Sequence, residues 1–119
     1  MSMLMDRTFV HTKKFDSQWK SMGCDDDDLS ELQKDICDNT QKHPVIQGTG
    51  GVRKLREPLE GRGKSGGVRV LYVDFPSFGI VGLLYAYPKN EKDNIDENEK
   101  KILKMMVEQI KANWREQNE

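Results

Sequence analysis

Two apolar runs separated by a short turn constrain this chain more than anything else in it. Val68 to Phe75 is rich in β-branched and aromatic residues, and Ile80 to Tyr87 is apolar on both faces. Pro76-Ser77-Phe78-Gly79 between them is a turn sequence, so the pair reads as a β-hairpin. A strand apolar at successive positions is buried on both sides and belongs at the centre of a sheet. Pro88 and Asn90 end it.

The remaining elements arrange themselves around that hairpin. Arg7 to His11 suits a first strand. Thr12 is placed to cap a helix whose face is Phe15, Trp19 and Met22 at i, i+4 and i+7, with Gly23 as its stop. Asp25 to Asp28 open a second helix, where acids meet the positive end of the helix dipole, and Leu29, Leu32 and Ile36 are its buried stripe. Val45-Ile46 and Val52 to Leu55 are short strand candidates, broken by Gly48, Gly50 and Gly51. Asp96 and Glu99 form a D-x-x-E capping box before a long amphipathic helix with Ile102, Leu103, Met106, Val107, Ile110 and Trp114 on one side. The order β-α-α-β-β-β-α defines an α+β fold with a mainly antiparallel sheet, an N-terminal helical hairpin and a C-terminal helix, as one domain over residues 1–119.

Charge separates along the chain although the formal net charge is −1. Residues 24–40 hold seven acids against Lys34, and residues 45–72 hold six bases against Glu57 and Glu60. Such opposed patches give one face to a polyanion and another to something else. The acidic run lacks the spacing and terminal Glu of an EF-hand loop, so it reads as a solvated helix start. Cys24 and Cys37 are thirteen residues apart, without a CxxC pair, and are expected as reduced thiols. No signal-peptide pattern and no apolar run of membrane-spanning length is present, so the expectation is a soluble cytoplasmic protein without a membrane partner.

Gln47 to Tyr72 carries seven glycines and six Lys or Arg residues in 26 positions. Gly63-Lys64-Ser65 ends like a P-loop. The glycine that motif requires five residues earlier is Pro58, and a strand follows where a helix should. Without a P-loop or a dinucleotide fingerprint, the stretch reads as cations on a flexible glycine hinge. On an extended strand Lys54 and Arg56 share one face and Arg53 takes the other. Arg62, Lys64, Arg69 and Lys89 complete a set able to line a groove for a phosphate backbone, with Tyr72, Tyr85 and Tyr87 near enough to stack bases.

The string VIQGTGGVRKLREPLEGRGKSGGVRVLY, followed by an apolar strand ending in YAYPKNEKDNI, resembles the RelE-like HigB toxins of bacterial type II toxin–antitoxin modules. The likeness is strongest over residues 45–95. It implies the microbial RNase fold of the RelE/ParE superfamily and a ribosome-dependent endoribonuclease that uses no metal or other cofactor. It further implies an antitoxin partner, usually with a helix-turn-helix domain through which the pair reaches operator DNA, and the ribosome with its mRNA as target. By position, the resemblance assigns Arg69 to the scissile phosphate, Lys64 and Arg62 to proton transfer and phosphorane stabilisation, and Lys89 to a cation beside the site. It makes Arg53, Lys54 and Arg56 RNA contacts, and Tyr87 a candidate for the aromatic or His residue that relatives use as a base partner.

The chemistry agrees with a site that leans on its target. Metal-free RNA cleavage needs a base for the 2′-OH, an acid for the leaving oxygen and positive charge on the phosphorane. No histidine stands in the motif. Lys64, ordinarily near ~10.4, would have to titrate lower, which surrounding cations promote. The alternative is a non-catalytic RNA-binding or phage-derived module that retains the fold.

Overall fold

The strand expected at the centre of the sheet has a neighbour on each side. The computed structural model describes residues 7–58, 67–89, 91 and 94–118. Its elements run β1 (Thr8–His11), α1 (Lys13–Ser21), α2 (Asp26–Asp38), β2 (Val52–Glu57), β3 (Val68–Phe75), β4 (Ile80–Pro88) and α3 (Glu97–Asn118). The sheet order is β1-β4-β3-β2, an α+β architecture in which only the β1–β4 pair is parallel. The β3–β4 turn closes through Phe78 N and Gly79 N, which both donate to Phe75 O at 3.0 Å.

β4 is buried along almost its whole length because helices cover both faces of the sheet. Phe15 and Trp19 of α1 and Leu32 and Ile36 of α2 pack with Leu55, Val70, Tyr72 and Leu83. Leu103 and Val107 of α3 pack on the opposite face with Val52, Leu71, Val73 and Leu84. The period-2 alternation of β2 and β3 therefore sorts their side chains cleanly between two cores.

Each helix begins where its cap residue directs. Thr12 Oγ1 accepts from Phe15 N at 2.9 Å and donates to Leu84 O at 2.7 Å, so one hydroxyl starts α1 and ties it to β4. Asp25 and Asp28 exchange backbone-to-carboxylate bonds of 2.9 Å in a reciprocal capping box. Asp96 and Glu99 repeat that arrangement at α3, with bonds of 2.8 and 3.0 Å.

The glycine-rich stretch divides into parts with different jobs. Residues 47–50 form a turn whose Thr49 is fully buried. Its hydroxyl donates to Ile46 O at 2.6 Å and accepts from Val52 N at 3.0 Å. Gly50 has φ +82°, and a Cβ there would meet Val107 of α3 at 3.6 Å. This end is a fixed seat for α3, in contrast to the flexible hinge that glycine content implies. Val45-Ile46, expected as a strand, contributes only an isolated bridge from Val45 to Arg53, because Pro44 offers no N–H and the turn begins at once.

Gly67 enters β3 under tighter constraint. Its φ is +80°, and a Cβ would lie 2.4 Å from Glu57 O and 3.1 Å from Pro58 Cα. Both obstacles are backbone. Gly67→Ala is expected to lower stability by about 2–4 kcal/mol, read as a fall in the urea midpoint with an unchanged slope.

Candidate active site

The strand register builds the site. On the α3 side of the sheet, Lys54, Leu71 and Tyr85 are cross-strand partners in one row across β2, β3 and β4. Two residues further along stands a second row, Arg56, Arg69 and Tyr87. The rows lie roughly 7 Å apart, the rise of two strand residues. Lys89 continues this line beyond β4, its N–H donating to Gly67 O at 3.2 Å. Arg56 is exposed, whereas Arg69 and Lys89 are half-buried.

Like charges placed directly opposite each other on neighbouring strands oppose folding. Arg56 facing Arg69 concentrates positive charge at this end of the β2–β3 pair. Guanidinium groups carried on neighbouring strands can donate forked hydrogen bonds to the oxygens of one phosphate.

Two cavities flank the row on this face, and Ile95 lines both. One, of ≈ 390 Å³, lies on the β2 side, with Lys54 and Lys100 among its walls. The other, of ≈ 340 Å³, lies at the free edge of β4, past the end of β1, and exposes Tyr85 beside Lys14 and Gln18 of α1. Gln18 Oε1 accepts from Ala86 N at 2.9 Å, substituting for the missing strand partner at that edge. Ile95 precedes the Asp96 cap, at the position where an apolar residue packs a helix start against its surroundings. That position was a usable sequence signal for Ile95. Lys14, Gln18 and Lys100 lie outside the motif and gave none.

Several residues expected at the site stand elsewhere. Tyr72 is fully buried on the α1/α2 face, its hydroxyl donating to Thr40 O at 2.9 Å and lying 3.1 Å from His43 Nδ1. It presents no face for a base and is corrected to a core residue. Arg53 is on that same face, donating to Gln41 O at 3.0 Å and His43 O at 2.6 Å. It anchors the segment after α2, so its assignment as an RNA contact is also corrected. Tyr87 does lie on the site face, but at 4% exposure its ring is a wall of the site with no open stacking surface. Arg62 and Lys64 lie outside the described residues.

Neither histidine reaches the arginine row. His11 contacts Phe15 edge-on and lies 2.9 Å from Asp16, and His43 is packed beside Tyr72, both on the other side of the sheet. Burial, then Lys42 and Arg53 nearby, lower the His43 pKa. Tyr72 in turn is pushed up to about 12 by burial. Among the described residues no group of three or more His, Cys, Asp or Glu is arranged to hold a metal ion.

The strongest titration anomaly is also on the far face. Glu57 follows Arg56 in β2, is 3% exposed, and points to the α2 side. Burial, then hydrogen bonding and repulsion from Asp35 and repulsion from Glu31, raise its pKa to about 8. The β2 end thus presents a guanidinium on one face of the sheet and a protonated carboxyl on the other.

A family model described as the RelE toxin of the RelE/RelB toxin–antitoxin system matches residues 6–118. The chain belongs to the RelE toxin family. The match spans all seven elements. As a RelE-family toxin it is the toxic half of a toxin–antitoxin pair, and its partner is a cognate antitoxin. No helix among the described residues is long and apolar enough to cross a membrane. Cys24 and Cys37 are not joined in a disulfide.

Proposed function

We propose that this RelE-family toxin is an mRNA endoribonuclease of the HigB-like branch that cuts ribosome-bound message. The observation that carries the reading is the Arg56–Arg69 row, which the strand register places on the α3 face of the sheet. In this reading Arg69 holds the scissile phosphate, and Arg56 and Lys89 add charge to the phosphorane. The 2′-OH gives up its proton and attacks the adjacent phosphorus. The bond to the 5′-oxygen breaks and that oxygen takes a proton. Lys64 and Arg62 are the proposed proton-transfer and stabilising groups, carried by the segment that joins the β2 and β3 ends of the row.

A site without histidine at hand is weak at moving protons and strong at neutralising charge. Such a catalyst depends on a substrate already held for in-line attack, and the ribosome provides that. Purified toxin is expected to cleave mRNA on programmed ribosomes on the order of 100-fold or more faster than the same RNA free in solution. Equal, rapid cutting of both would overturn the ribosome-dependent mechanism. Binding without cutting would favour the non-catalytic RNA-binding module. The antitoxin is proposed to carry a helix-turn-helix domain and to bring the pair to operator DNA, and the toxin to act in the cytoplasm, where its ribosomes are.

A further inference from the structure

We propose that the buried contact between Glu57 and Asp35 positions Arg56, so that a carboxyl pair on one face of the sheet sets the arginine row on the other. The inference rests on the nuclease reading above and adds a positioning residue that acts through Arg56. Glu57 follows Arg56 in β2, with its side chain on the opposite face, buried toward α2. There it is hydrogen-bonded to Asp35. A carboxylate only accepts, so two carboxyl groups bond to each other only while they share a proton. The contact is a latch that exists in one protonation state and not in the other.

The end of β2 depends on that latch because β2 is an edge strand. On its outer side the segment after α2 reaches as far as Lys54, whose N–H donates to Pro44 O at 3.1 Å. Beyond Leu55, which packs in the α1/α2 core, two fastenings remain among the described residues. One is the β3 ladder, where Arg56 faces Arg69 and Glu57 faces Val68. The other is the Glu57 side chain on Asp35. Gly67 leaves no room for a Cβ against the Glu57 carbonyl, so a shift at Glu57 also reaches the β3 end of the row. The charges acting on Glu57 among the described residues are Asp35 and Glu31, both on α2, and its β3 partner Val68 does not titrate. Burial, then hydrogen bonding and repulsion from Asp35 and repulsion from Glu31, raise its pKa to about 8. Above that value an ionised Glu57 loses its bond and is repelled by both acids. The β2 end then moves off α2 and takes Arg56 with it.

The test is the pH profile of single-turnover mRNA cleavage on programmed ribosomes in excess, for wild type, Glu57→Gln and Asp35→Asn. Each protein is compared with itself at about pH 7 and about pH 9, on either side of the Glu57 titration. A reaction whose base is an amine speeds up over that range. Wild type is expected instead to slow by about tenfold or more, since misplacing a group by about 1 Å can cost on the order of 100-fold. Glu57→Gln keeps a hydrogen bond to Asp35 with no proton to lose, and Asp35→Asn offers an ionised Glu57 a donor. Both variants are expected to lose the descending limb, and any titration of the ribosome is common to all three proteins. Far-UV circular dichroism of wild type at the assay temperature is expected to be the same at both pH values. A wild type without a descending limb, or a Glu57→Gln that keeps it, overturns the inference and leaves the nuclease reading standing. A limb that coincides with loss of the circular dichroism signal reduces Glu57 to a stability element, which also overturns it. A wild type that cuts at no pH sinks the nuclease reading and this inference with it.

Discussion

Arg69→Ala is expected to abolish growth arrest in a bacterial host and to slow cleavage of ribosome-bound mRNA by on the order of 10²–10³-fold. Its partner in the row, Arg56, remains but holds a phosphate from one side only. Arg69 is half-buried and faces Arg56 across the β2–β3 pair, so the repulsion that the substitution ends counts against the contacts it removes. The circular dichroism melt of the variant is therefore expected within a few degrees of wild type. Arg69→Lys keeps the charge and loses the forked geometry, so its activity should fall between the two. Full toxicity in Arg69→Ala would remove the row from the mechanism.

The second large effect concerns stability, and its sign is the reverse of the usual carboxylate. Glu57 ionises near 4.5 in the unfolded chain and near 8 in the folded one, because it is buried against Asp35 and Glu31. Below the lower value both states hold the proton and the stabilisation is fully present. Between the two, the unfolded chain releases a proton that the fold retains, so stability falls as pH rises. Above the upper value the folded carboxyl ionises too, and the loss levels off. The cumulative decline should be roughly 2–4 kcal/mol. Glu57→Gln keeps the shape and has no proton to lose. It is expected to flatten the pH dependence between pH 5 and 8 and to raise the melting temperature at pH 8 by on the order of 10 °C. A variant that melts lower than wild type at pH 8 would refute this account. Asp74 works the opposite way. Burial raises its pKa, but Arg7 at 2.7 Å, with Thr40 and Gln41, lowers it further than burial lifts it. Its stabilisation is present at neutral pH and disappears in acid.

What was legible in the sequence follows from how local each signal is. Caps and strands are local: Thr12, Asp25, Asp96 and the apolar run in β4 each declare their element within a few residues. The faces of β2 are local too, since alternation alone puts Lys54 and Arg56 together and Arg53 opposite. Tyr72 and Arg53 went astray because their fate is decided by the segment after α2, which folds over that face of the sheet. Thr40, Gln41 and His43 take up the polar atoms of both, and nothing near either residue in the sequence announces it. The Gly48–Gly51 turn misled for a related reason. Glycine permits mobility and close approach alike, and only the presence of α3 decides between them. The cavity at the β4 edge is the least local feature, being assembled from α1, β4 and the approach to α3.

The parallel pairing of Thr8–His11 with Ile80–Leu83 also sets an order in time. Thr12 and the carbonyl it bonds on Leu84 are 72 residues apart. A chain made from its N-terminus has no surface on which to dock β1 and α1 until β4 has been synthesised. Local contacts form early, and closure of the sheet must wait for the distant ones. The row of Arg56, Arg69 and Tyr87 needs β2, β3 and β4 side by side before it is complete. In the proposed mechanism a nascent copy of this toxin therefore lacks its site until β4 has been made. An antitoxin made at the same time has that interval in which to be ready.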